Sequence, residues 1–145
     1  MTSIAEASEE RFAKIAEFYE SQGARGRPSP GDRIFIAEDE GRLLGAVRLC
    51  QEEGILVLRT MRVAASHQRQ GIGSRLLRAL VRELAGQDCY LLGYAHLEGL
   101  YGLEGFAKIE AATLPPHLQE RLKLYLAEWS DLIPMRRAAS ASPAT

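Results

Sequence analysis

A hexapeptide, Gln68-Arg69-Gln70-Gly71-Ile72-Gly73, stands between an apolar stretch, ILVLRTMRV, and a run with helical spacing, SRLLRALVREL. A helix beginning at such a point offers unpaired N–H groups and the positive end of its dipole. Glycine at 71 and 73 leaves no Cβ between those amides and a ligand. A diphosphate can then accept several N–H bonds at once, and Arg69, Arg75 and Arg78 flank the segment to balance the remaining charge. A plain strand-to-helix turn uses the same residues, so the hexapeptide alone leaves both readings open. Two nucleotide signatures do not fit. Leu76 occupies the third glycine position of G-x-G-x-x-G, and Gly73 is followed by serine where a P-loop has lysine.

A strand and a helix must hold this segment. ILVLRTMRV (55–63) reads as a strand, and Ile72, Leu76, Leu77, Leu80, Val81 and Leu84 recur at helical spacing, predicting a helix over 72–85. Upstream, residues 9–22 place Phe12, Ile15, Ala16 and Tyr19 on one helical face, with Ser8 as N-cap and Gly23 as the stop. Residues 2–7 predict a short edge strand, and GARGRPSPGD (23–32) a loop. RIFIAE and LLGAVRLC predict two strands joined by a tight turn, with a second turn at 51–54, so the first half is an antiparallel meander. Downstream, CYLLGYA (89–95) reads as a buried strand, followed by a short helical turn through Tyr101 and a strand at 106–110. Pro115 and Pro116 introduce a helix over 116–129 with Leu118, Leu122, Tyr125, Leu126 and Trp129 on a common side. LIPMRR (132–137) predicts a last strand. The expectation is one mixed α and β domain over 1–137 and a small, polar, disordered tail over 138–145.

Composition narrows the partners. The 145 residues carry a formal net charge of −1, so no excess of positive charge drives general binding to nucleic acid or a membrane surface. Cys50 and Cys89 stand far apart without a C-x-x-C, which suggests neither a zinc site nor a disulfide framework; they read as reduced core cysteines. No apolar signal region opens the chain and no apolar run has membrane-spanning length. The expectation is a soluble cytoplasmic protein with no metal.

The strand ending Met61-Arg62-Val63, followed after a short loop by QRQGIG, resembles the GNAT superfamily of N-acetyltransferases. There a strand ending L-x-V leads to R/Q-x-x-G-x-G/A at a helix start. The family's second signature, Y-x-x-x-G-F, stands here as Tyr101-Gly102-Leu103-Glu104-Gly105-Phe106, in the family's order. The resemblance covers roughly residues 8–110 and implies an α/β (α+β) fold with a mixed, mostly antiparallel central sheet flanked by helices on both faces. It implies acetyl-CoA as co-substrate, a small-molecule or peptide primary amine as acceptor, direct attack in a ternary complex, and a homodimer. Backbone groups of Met61, Arg62 and Val63 would pair with the pantetheine arm as an added strand. The stretch Gln68, Arg69, Gln70, Gly71, Ile72, Gly73 and Ser74 would hold the pyrophosphate. A backbone N–H near the end of the strand would polarise the thioester carbonyl as it becomes an oxyanion. Tyr101 stands where the family keeps the general acid that protonates the departing thiolate.

The base is less defined. A lysine-like amine at pH 7 must first lose a proton, at a cost of about 4–5 kcal/mol. Many relatives place a glutamate on the strand before the tyrosine; aligned on Tyr101, that place holds Cys89, and the asparagine often found seven residues before the tyrosine is Tyr94. His96, on the turn beside Tyr101, is the substitute base. Glu52 and Glu53 are further base candidates that read more readily as solvated turn residues, and His67 and His117 read as loop and helix-cap positions. In relatives the acceptor pocket is built from the loop after the first helix and the segment joining the last two strands, here 23–32 and helix 116–129. A non-catalytic acyl-CoA-binding regulatory module is the alternative. A helix-turn-helix built on QRQGIGSRLLRAL ranks far lower, because its neighbours read as strands.

Overall fold

The computed structural model describes residues 1–129 and 131–139. The chain packs as two compact units, Met1–Ala85 and Gly86–Thr145. Seven strands and four α-helices are formed among the described residues. None of these helices is long and apolar enough to cross a membrane.

The first unit is the meander its alternating apolar segments predict. Strands β1 (Ser3–Ala7), β2 (Arg33–Asp39), β3 (Arg42–Glu52) and β4 (Ile55–Val63) pair consecutively and antiparallel. Helix α1 (Phe12–Ser21) buries Ile15, Phe18 and Tyr19 against Ile34, Ile36 and Ala46. Helix α2 (Ile72–Arg82) takes the other face, because successive strand residues point to opposite sides. Gly45, next to Ala46, has so little room that a Cβ would lie 3.0 Å from Leu76 Cδ1 and 3.3 Å from Ile72 Cγ2. The helices therefore flank this sheet on both faces, as the resemblance implies.

Helix boundaries fall short of the periodicity: α2 stops at Arg82 and the helix after Pro115 at Leu126, and the first helix starts late. Glu9–Arg11 form a 3-10 turn, α1 proper begins at Phe12, and the Ser8 side chain makes no capping bond. Gly23 does end the helix: its φ is 74°, and Ala24 N–H reaches back to the Tyr19 carbonyl at 2.9 Å.

In the second unit β7 (Leu132–Arg137) pairs antiparallel with both β5 (Cys89–Tyr94) and β6 (Ala107–Lys108). Helix α3 (Glu98–Gly102) follows β5 through a 3-10 turn at Ala95–Leu97. The strand expected over 106–110 is only two residues long, since Phe106 is occupied in capping α3. Helix α4 runs Pro116–Leu126 and buries Leu118 and Leu122. Leu126 does not share that buried side. It is the last helical residue, one turn past Leu122, and is 43% exposed. Tyr125 and Trp129 meet each other edge to face at 5.5 Å. Of the tail expected to be disordered, residues 140–145 lie outside the described residues.

Candidate functional site

Strand β4 does not run straight into the hexapeptide. Arg48 pairs with Arg59 and Ala46 with Arg62, so Val47 alone faces both Thr60 and Met61, a β-bulge. Thr60 sits at φ 50°. Beyond the bulge Met61, Arg62 and Val63 are half-buried, and Ala64 N–H closes the strand on the Leu44 carbonyl at 2.7 Å.

The loop after β4 is held by side chains. Gln22, at the end of α1, accepts from Ala65 N–H at 3.1 Å. Gln68 donates to the Val63 carbonyl at 3.3 Å, and Ser66 Oγ lies 2.7 Å from His67 Nδ1. The chain then enters the left-handed region at Arg69 (φ 65°) and again at Gly71 (φ 81°, ψ 6°), the N-cap of α2. A side chain at 71 would be strained by this φ but would meet nothing within 4 Å. Arg75 N–H makes the first helical bond, to Gly71 O at 3.1 Å. The amides of Gly71, Ile72, Gly73 and Ser74 precede it and have no partner within the helix, and the N-cap residue, Gly71, makes no side-chain capping bond. Ile72, Leu76, Leu77 and Leu80 anchor the other side of α2 in the core. The sequence-predicted residues 61–63 and 68–74 are thus brought together along one strand, loop and helix start. Arg69 is exposed beside them, whereas Arg75 donates to the Thr2 carbonyl at 3.1 Å.

In the second unit YGLEGF forms a capped turn. Phe106 N–H bonds the Tyr101 carbonyl at 3.2 Å and Gly105 N–H the Gly102 carbonyl at 3.1 Å, the paired bonds of a Schellman motif. Gly105 takes φ 95°, and Arg137 Nε donates to the Glu104 carbonyl at 2.8 Å, tying the turn to β7. The motif's hydrophobic contact is Tyr101 against Phe106, edge to face at 6.1 Å. The Tyr101 ring also lies on Gly93 of β5, where a Cβ would stand 3.1 Å from its Cε2. Tyr101 is 4% exposed, and burial pushes its phenol up to about 12. His96 lies on the 3-10 turn before α3, exposed, with its ring stacked on Tyr94 at 5.6 Å. Cys89 is fully buried. Glu52 is paired with Arg59 at 3.2 Å.

Reasoning from the sequence missed a polar cluster under the bulge. Arg48, 4% exposed, donates to Asp32 Oδ2 at 2.9 Å and to Thr60 Oγ1 at 3.2 Å, and Tyr19 donates to the Thr60 carbonyl at 2.7 Å. The signal is an arginine in the apolar run LLGAVRLC, on the same strand face as Ala46, which demands a buried partner. Beside this cluster a cleft of about 340 Å³ is lined by Ala16, Glu20, Ala24, Arg25, Gly26 and Arg27.

Structures with the same fold are numerous. The ribosomal-protein-S18-alanine N-acetyltransferase of Escherichia coli superposes with a TM-score of 0.71 at 17% identity, covering 100% of this chain and 98% of that one. An acetyltransferase of the GNAT family from Staphylococcus aureus gives 0.68 at 16% identity, covering 97% and 100%. N-acetylglutamate synthase from Neisseria gonorrhoeae, complexed with coenzyme A and N-acetyl-glutamate, gives 0.66 at 20%; this chain is covered over 97% but spans only 36% of the synthase. Comparison with curated protein sequences finds no match. Residues 2–101 match the acetyltransferase (GNAT) family, a span that takes in both the amide cluster at Gly71 and the start of the Tyr101 turn. With that match over most of its length and the GNAT fold throughout, the chain belongs to the acetyltransferase (GNAT) family.

Proposed function

We propose that this chain, through a domain spanning 1–137, is an N-acetyltransferase that moves an acetyl group from acetyl-CoA to a primary amine by direct attack in a ternary complex. The observation that carries the reading is the left-handed Gly71 at the head of α2, which leaves four consecutive amides without a partner in the helix and makes no side-chain capping bond to them. Such a cluster suits a diphosphate, whose oxygens accept several charge-assisted bonds at once. In this reading Gln68 through Ser74 hold the pyrophosphate of acetyl-CoA, and Met61, Arg62 and Val63 pair with its pantetheine arm.

Tyr101 supplies the proton that the departing thiolate takes. With its phenol at about 12, transfer to a thiolate near 8.5 runs uphill by about 5 kcal/mol in the free enzyme. The phenol therefore stays protonated at working pH, and donation accompanies C–S cleavage. His96, exposed to solvent, takes the proton that the attacking amine gives up, directly or through water. The amine enters by the loop 23–32, whose residues Ala24 to Arg27 border the cleft of about 340 Å³.

A panel of amines with acetyl-CoA, followed by release of free thiol, tests the activity. Tyr101→Phe should bind coenzyme A as the unmodified protein does while losing about 10²–10⁴-fold in turnover. Unchanged turnover removes the acid assigned to Tyr101. Coenzyme binding without thiol release from any amine leaves the non-catalytic module.

A further inference from the structure

Thr60 is a β-branched residue at φ 50° inside a strand, a conformation that persists only where its surroundings over-determine it. Three neighbours do so. The Tyr19 hydroxyl, on a fully buried ring of α1, donates to the Thr60 carbonyl at 2.7 Å. Arg48 Nη1 of β3 donates to Thr60 Oγ1 at 3.2 Å. Gly26 packs so closely that a Cβ there would stand 2.0 Å from that same Oγ1. Arg48 is itself fixed by Asp32, 2.9 Å away, and Asp32 accepts from Ser29 N–H at 2.9 Å. A helix, a loop and a neighbouring strand therefore converge on one residue.

That residue is the last before Met61, Arg62 and Val63. An extra residue in a strand bends it and reverses which face each later residue presents. We propose that Tyr19 and Arg48 are positioning residues for the coenzyme: by holding Thr60 in its left-handed bulge they set the direction in which Met61, Arg62 and Val63 offer their backbone. The proposal rests on the coenzyme reading above. Neither side chain touches the coenzyme in this scheme; each acts through Thr60.

Tyr19→Phe is the sharper probe, because it keeps the buried ring and deletes one donor, whereas loss of Arg48 strands Asp32. Calorimetry with coenzyme A is run on the unmodified protein, Tyr19→Phe, Thr60→Gly and the double variant, with melting temperatures in parallel. Tyr19→Phe should raise Kd about tenfold, the equivalent of one buried hydrogen bond. In the Thr60→Gly background the same change should raise Kd less than about twofold, since glycine adopts a positive φ without help. A merely structural tyrosine would lower the melting temperature in both backgrounds and leave Kd unmoved. If Tyr19→Phe does not fold, Gly26→Ala replaces it, pressing on the Thr60 hydroxyl from the loop with the same expected rise. Equal Kd across the variants, or an equal rise in both backgrounds, overturns the positioning role alone. No affinity in the unmodified protein sinks the coenzyme reading, and this proposal with it.

Discussion

Replacing Gly71 separates the backbone's demand from the ligand's. Its φ of 81° and ψ of 6° lie in the left-handed region, where alanine costs about 1–2 kcal/mol and asparagine is far better tolerated. No atom lies within 4 Å of a Cβ built there, so neither replacement clashes in the free protein. Gly71→Ala should therefore lower the melting temperature by a few degrees, and Gly71→Asn by less. The coenzyme responds differently. Under the proposed grip, a side chain at 71 crowds a diphosphate seated on the neighbouring amides, and each charge-assisted N–H bond lost removes about 1.5–3 kcal/mol. Kd for coenzyme A should rise about 10- to 100-fold in both variants, although only the alanine protein is notably destabilised. Calorimetry measures the affinity. Melting with and without coenzyme gives an independent reading, since ligand at about 100 times Kd adds about 2.7 kcal/mol to the unmodified protein. An asparagine variant that binds coenzyme A as tightly as the unmodified protein refutes the amide grip. A loss confined to alanine would reduce Gly71 to a backbone requirement.

Further expectations concern buried groups. Arg48→Met should cost about 3–5 kcal/mol by urea titration, because Asp32, with 8% of its side chain exposed, is left buried without its partner; adding Asp32→Ala should recover part of that loss. Burial pushes the Tyr101 phenol from 10.0 and the Cys50 thiol from 9.0 up to about 12, and it raises Tyr19 as well. The folded chain then holds protons that the unfolded chain releases first, so this stability is whole below pH 9 and falls as pH rises toward 12. Urea midpoints across that range should decline less steeply in Tyr101→Phe. For the same reason, a fall in kcat/KM below about pH 10 belongs to a group other than Tyr101.

What is legible in this sequence is what local rules encode. An amide cluster at a helix start needs only a turn glycine and a following apolar stripe, and both stand within residues 68–84. YGLEGF is equally local, since the Schellman bonds span six residues and the glycine must fall at 105. The meander follows from alternation and turn residues. The end of α4 is less readable, because helical spacing continues through Leu126 while the core it meets stops at Leu122.

The cluster around Thr60 lies beyond such rules. Alternation puts Ala46, Arg48 and Cys50 on one face, so a buried arginine can be inferred from LLGAVRLC. Its partners cannot: Asp32 sits 16 positions upstream and Thr60 12 downstream, and the registers of β2 and β4 on β3 decide that they meet. The bulge is hidden more deeply, because threonine favours extended strand and argues against a positive φ. Glycine at 60 would make the bulge readable and also remove the need to hold it. A threonine there couples the strand's direction to α1 through Tyr19 and to the 23–32 loop through Arg48, Asp32 and Gly26. Local preference thus gives way to tertiary structure one residue before the segment proposed to meet the coenzyme, and the bonds from Tyr19 and Arg48 offset the cost of holding Thr60 there.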